Sequence, residues 1–236
     1  MSGWATKRFW KDTTPEAVEG GYGVFLDGRA VKTPAKAALV VPTQVMAEAM
    51  AAEWDAQDGE VDPASMPVTR SANAAIDKVA IQHAEVAEML AEYGGSDLVC
   101  YRATTPQELI DRQVEAWDPL LVWAEESLGA KLKPVAGVMF EAQDSESLRK
   151  LSTLVHGFDN FQMAAFHDLV GISGSLIIGF AATHDLHPIE TLWRLSRIDE
   201  QWQEDQWGRD DDAAEEAEKK HQAFLHAYAF FKMATN

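Results

Sequence analysis

The stretch GVFLDGRAVKTPAKAALVVPT, Gly23 to Thr43, decides how the chain is read. Asp27-Gly28 stands between two short extended runs, and that dipeptide favours a two-residue hairpin because both central positions of a type I′ turn need positive φ. KRFWK (Lys7 to Lys11) and AALVVP (Ala37 to Pro42) supply flanking strands, punctuated by Pro15, Gly20, Gly21, Gly23 and Pro34. Pro42-Thr43 then closes the sheet and opens a helix, with Thr43 as its N-cap.

Beyond that point the pattern is helical almost throughout. Ile76, Val79, His83, Val86, Leu90 and Tyr93 recur at spacings of three and four, one apolar stripe. TPQE (Thr105 to Glu108) reads as a capping box with proline at the first helical position, and Pro119 is expected to break or kink that helix after Asp118. DSESLRKLSTLVHGF and NFQMAAFHDLVGIS give two more helices. The apolar segment that follows is hydrophobic all round and belongs at the centre of a bundle. A last helix begins near Asp211, where Asp210 to Asp212 favour the helix dipole. The fold class predicted is α+β: a small N-terminal β domain of hairpins, residues 1–42, followed by a larger all-helical domain, residues 43–236. Charge changes at the same place, with a net of +2 in residues 1–42 and −20 in the remainder.

Composition excludes several functions. The chain has 236 residues, a formal charge of −18 and a pI near 4.7. It lacks the basic face that nucleic acid or an anionic membrane demands. The longest apolar run, Leu169 to Ala182, is too short to span a bilayer. The single cysteine, Cys100, lies among apolar neighbours and reads as a small buried hydrophobe. The N-terminal MSGWATKRFWKD has no signal-peptide pattern and meets acids early, so the expectation is a soluble protein that works where it is made.

Catalytic signatures are missing. Neither standard phosphate-binding glycine loop is present, and GISGS lacks the spacing of a nucleophile elbow. His184 and His187 in HDLH stand near His167, but Pro188 ends any regular helix there, and a zinc site wants HExxH or clustered cysteines. No metal, cofactor or small-molecule substrate is predicted.

One anomaly stands out. RLSRIDEQWQEDQWG, Arg194 to Gly208, reads as helix continuing from Ile189. At about 100° per residue, Leu192, Trp193, Leu195, Ile198, Trp202 and Trp207 gather on one face. Asp199 and Glu200 fall inside that apolar arc, Glu200 between the directions of Trp193 and Trp207. Three readings stay open: an acid satisfied by an arginine such as Arg70 or Arg149, a carboxylate pair in a hydrolase, or a recognition site at the rim of an apolar surface. A generic acidic scaffold for basic proteins is a further alternative.

KRFWK, VFLDGRAVKTP with LVVP, EWDAQ (Glu53 to Gln57), MPVTRSANAAIDKV, YGGSDLVCYRA, WDPLL and RIDEQWQEDQWG occur in order along nearly the whole chain. In these the chain resembles the assembly chaperones of the F1-ATPase α subunit, found in mitochondria and α-proteobacteria. The resemblance implies a non-enzymatic chaperone that binds the free α subunit and assists assembly of the ATP synthase catalytic head. It implies partner-binding residues at Glu200 first, with Asp199, Trp202, Gln203, Trp207 and Gly208 of the same motif. Trp54, which matches a further family position, is counted among the partner-binding residues on the same ground. The expected location is the bacterial cytoplasm, or the mitochondrial matrix for a processed eukaryotic member.

Overall fold

The computed structural model describes residues 7–235. A small sheet comes first and helices follow. β1 (Thr13–Val18) and β2 (Gly21–Leu26) form an antiparallel hairpin whose register runs from Thr13 opposite Leu26 to Val18 opposite Gly21. β3 (Arg29–Ala30) and β4 (Val40–Val41) both pair with β2, at its end and its start respectively.

The Asp27-Gly28 turn is present, with φ of 48° and 76°. The Asp27 carboxylate accepts the Lys11 and Asp12 amides at 3.0 and 2.9 Å, tying the preceding segment to the turn. Those amides hold its pKa below the ordinary carboxylate value. KRFWK itself is not a strand. The first strand is TTPEAV, hidden in the sequence because its residues are largely exposed and carry no alternation of apolar side chains. Gly21 is obligatory: a Cβ there would lie 2.3 Å from the Val41 carbonyl oxygen, where β4 crosses β2.

Thr43 caps α1 (Gln44–Asp55), accepting from the Met46 amide. α1 packs on β1 and β2, burying Met46, Met50 and Trp54. α2 (Pro67–Ala74) is capped by α1: the Glu53 carboxylate accepts the Val68 and Thr69 amides at 2.6 and 2.8 Å and the Thr69 hydroxyl at 2.7 Å. The predicted stripe from Ile76 to Tyr93 is therefore not one helix. A single π turn (Ala75–Val79) ends α2, and α3 (His83–Glu92) starts afresh.

α4 (Gln107–Leu128) runs straight through Pro119. Proline removes one helical hydrogen bond, but Trp117, Leu120 and Leu121 on both sides of it are buried, and that packing outweighs one lost bond. β5 (Tyr101–Arg102) and β6 (Val135–Ala136) make a short parallel pair. α5 (Ser145–His156), α6 (Asn160–Ser173), α7 (Leu176–Thr183), α8 (Ile189–Leu195), α9 (Ile198–Trp207) and α10 (Asp211–Thr235) complete the chain.

α7 buries every residue from Leu176 to Ala182. Each large apolar side chain there contributes roughly 1.5–3 kcal/mol. A Cβ on Gly179 would meet the Val170 side chain at 2.7 Å and that of Phe166 at 3.1 Å, so α6 side chains lie directly on the α7 backbone there. Cys100 is buried too, and desolvation pushes its thiol up to about 12.

The chain falls into two compact units. Of the described residues, one comprises those up to His83, Asp159–Ala165 and those from Ala229 on; the other comprises Ala84–Phe158 and Phe166–Tyr228. Within the first, the Thr43 hydroxyl donates to the Met233 carbonyl at 2.7 Å, joining α1 to the end of α10.

Candidate partner-binding surface

The stretch from Ile189 to Gly208 is two helices, and the break between them accounts for the misplaced acids. A continuous helix would give the Leu195 carbonyl to the Asp199 amide. Instead the Trp117 indole of α4 donates to that carbonyl at 2.7 Å. The Ser196 hydroxyl donates to the Trp193 carbonyl, and Arg197 takes a non-helical φ of −119°. α9 then restarts with its phase shifted, so a wheel drawn through both helices misplaces every residue after Ser196.

α4 also sets where the acids go. Gln113 lies one turn before Trp117 and is buried. Its side-chain amide donates to Asp199 Oδ1 at 2.6 Å, while its carbonyl oxygen accepts the Ala103 amide at 2.7 Å. Asp199 is thus half-buried and held from below. Glu200 turns outward: its side chain is 45% exposed and takes Arg197 at 3.0 Å, with the Arg197 guanidinium also 5.5 Å from the Trp193 ring. Both acids occupy the first turn of α9, where the helix dipole favours them.

The aromatics divide as well. Trp202 is half-buried under the Arg112 guanidinium, 4.8 Å from its ring, and Arg112 in turn pairs with Asp205 at 2.6 Å. Trp207 is 79% exposed, and Gln203 is exposed beside it. Gly208 ends α9 at φ 88°, its amide donating to the Glu204 carbonyl. α9 buries no residue fully. α9 therefore offers one exposed indole, the half-exposed Glu200 carboxylate among its four acids, and one cation-backed indole on a single short helix.

Trp54 is not part of this surface. It belongs to the other compact unit, is 6% exposed, and meets Trp10 edge-on at 5.3 Å. Its motif EWDAQ works structurally: Glu53 caps α2, and Gln57 bonds the Glu53 carbonyl, the Ser65 hydroxyl and the Asp62 amide.

Sequence reasoning missed Arg112, Gln113, Trp117 and Arg197, the residues that build the corner. A signal existed for Gln113, a polar residue on the same stripe as Trp117, Leu120 and Ala124. Arg70 and Arg149, the arginines expected to pair with the acids, do not do so: Arg149 pairs with Glu146. Also missed was the loop after β6, where Val138, Met139 and Phe140 are 92%, 78% and 69% exposed. Clustered exposed apolar residues are the kind of patch through which proteins make contacts. In sequence they look like strand.

The cleft between α8, α9 and α10 measures about 180 Å³ and is lined by Arg197, Gln201, Glu204 and His221 among others; Glu200 is not one of its lining residues. Among the described residues no three His, Cys, Asp or Glu side chains are grouped to hold a metal ion. No described helix is long and apolar enough to cross a membrane.

This architecture is shared with solved structures. Atp12 from Paracoccus denitrificans is 43% identical, with 97% of this chain and 98% of that one covered at a TM-score of 0.95. A protein from Agrobacterium tumefaciens is 37% identical, covering 96% of this chain and 85% of its own at a TM-score of 0.92. The mitochondrial protein atp12 of Schizosaccharomyces pombe is 28% identical over 221 residues, 89% of this chain and 76% of that protein. Residues 7–125 match the ATP12 chaperone protein family, and the chain belongs to that family.

Proposed function

We propose that this chain is a non-enzymatic chaperone that binds the free α subunit of F1-ATPase and assists assembly of the ATP synthase catalytic head. The observation that carries the reading is α9, which presents Glu200 and Trp207 outward instead of folding them into the core. Membership of the ATP12 chaperone family agrees with it. An exposed indole supplies apolar attraction, and the carboxylate two turns before it on the same helix restricts which chain can satisfy it. Asp199 and Glu200 bond different partners, Gln113 and Arg197, so the two carboxylates are held toward different surroundings and do not converge on one reacting centre. That arrangement supports recognition over hydrolysis. The partner-binding residues of this reading are Glu200, Asp199, Trp202, Gln203, Trp207 and Gly208. The likeness to Paracoccus Atp12 supports a bacterial cytoplasmic setting.

The test is a pull-down with separately produced α and β subunits of F1. Retention of α over β is the expected outcome. Equal retention of both, or of neither, overturns the proposal.

A further inference from the structure

The first compact unit contains a second opening that the α9 surface does not explain. A groove of about 290 Å³ is lined by Phe9, Leu26, Val31, Leu39 and Trp54, with Asn73 of α2 also on its wall. Phe9 is 60% exposed beside it.

Three observations bear on what fits there. First, β3 ends the sheet on this side, and no described strand pairs with its outer edge. Arg29 pairs with Leu26 across the turn, and the Val31 amide donates to the Val24 carbonyl, so alternation turns the Ala30 amide and carbonyl away from β2. Ala30 is exposed. Arg29, Ala30, Val31 and Lys32 all line the groove, which meets that edge at Ala30; two residues on, Lys32 is bridged to Ala38. Second, Asn73 is 8% exposed, yet its Oδ1 has no hydrogen-bond partner among the described residues. A buried acceptor left without a hydrogen bond is costly and is expected to be met by something. Third, Arg29 and Lys32 are exposed and make no salt bridge among the described residues. They stand on the net-positive segment of a chain that carries −18 overall.

We propose that this groove is a docking site for an extended segment of a partner polypeptide, apolar at its centre and acidic at its flanks, lying alongside β3 and hydrogen-bonded to it at Ala30. Strand addition satisfies the Ala30 backbone groups, an apolar side chain fills the groove over Trp54, a donor from the segment reaches Asn73 Oδ1, and the flanking acids meet Arg29 and Lys32. This holds whichever F1 subunit is bound at α9.

The experiment is fluorescence polarisation of a labelled Glu-Asp-Val-Phe-Val-Asp-Glu peptide titrated with the full chain. Saturable binding is expected, weakened at least about tenfold by Ala30→Pro, by the Arg29→Glu/Lys32→Glu pair, and by lysines in place of the peptide's acids, each step of tenfold being about 1.4 kcal/mol. Proline is tolerated on an edge strand while deleting the N–H that strand addition uses, and circular dichroism melts establish that the variants fold. No saturable binding, equal binding of the lysine peptide, or undiminished binding by folded Ala30→Pro each overturns the proposal.

Discussion

Glu200 and Asp199 are neighbours in sequence with unlike surroundings. Asp199 is engaged by a buried glutamine that is itself bonded to the Ala103 amide, a chain of bonds that fixes the corner before α9. Glu200 has one partner, the arginine at the N-cap of its helix, and almost half of its side chain meets solvent. An exposed pair of this kind is worth about 0–1 kcal/mol. Glu200→Gln should therefore shift the denaturation midpoint by less than about 1 kcal/mol of stability while clearly weakening capture of the α subunit. Both can be read on the same preparation, by urea melts and pull-down. A loss of capture that tracks loss of fold would make Glu200 a structural residue. The apparent contradiction in the sequence, acids on the side of the tryptophans, came from treating two helices as one.

Helices in this chain start and stop where tertiary partners dictate. α4 continues through Pro119, which sequence rules break, and the run from Ile189 stops at Ser196, which sequence rules continue. In each case a packed indole or apolar face outweighs one backbone bond. α7 shows the same coupling at its N-terminus. Ser175 caps it from within, and Asp97, fully buried, accepts the Ile177 amide at 3.1 Å and the Val99 amide at 3.1 Å. Desolvation pushes the Asp97 carboxyl up to about 6 in spite of these bonds. A folded pKa above the unfolded one means that stability from this group is fully present below about pH 4 and is lost as pH rises through about 6. Asp97→Asn removes that titration. Native stability minus variant stability should rise by about 1 kcal/mol from pH 7 to pH 5, by thermal melts of both at each pH. A constant gap would mean that burial does not govern this carboxyl.

At the scale of the molecule, the charge of −18 invites a generic electrostatic account of binding. Exposed apolar groups argue otherwise: Trp207, and the loop Val138 to Phe140, depend little on screening. Retention of the α subunit should survive roughly 1 M salt, where the Debye length is about 3 Å, whereas an acidic scaffold would release its cargo. Comparing pull-downs at low and high salt distinguishes them.

Local chemistry was enough to place much of the architecture. Asp27-Gly28 specified a hairpin because few residue pairs accept two positive φ values, Thr43 specified a helix start through its own hydroxyl, and the uniformly apolar run at Leu176 specified a buried helix. Those features depend on a residue and its near neighbours, so they are legible in a linear chain. The ordered motifs also marked Glu200 and Trp207, which the structure leaves at the surface. What only the tertiary structure decided was which carbonyl loses its helical partner and which acid finds one. Trp117 and Gln113 lie more than seventy residues before Leu195 and Asp199, and nothing local to either segment encodes their meeting. The direction of an acid on α9 is set by that long-range contact, which is why the sequence could mark the residue but not the way it points.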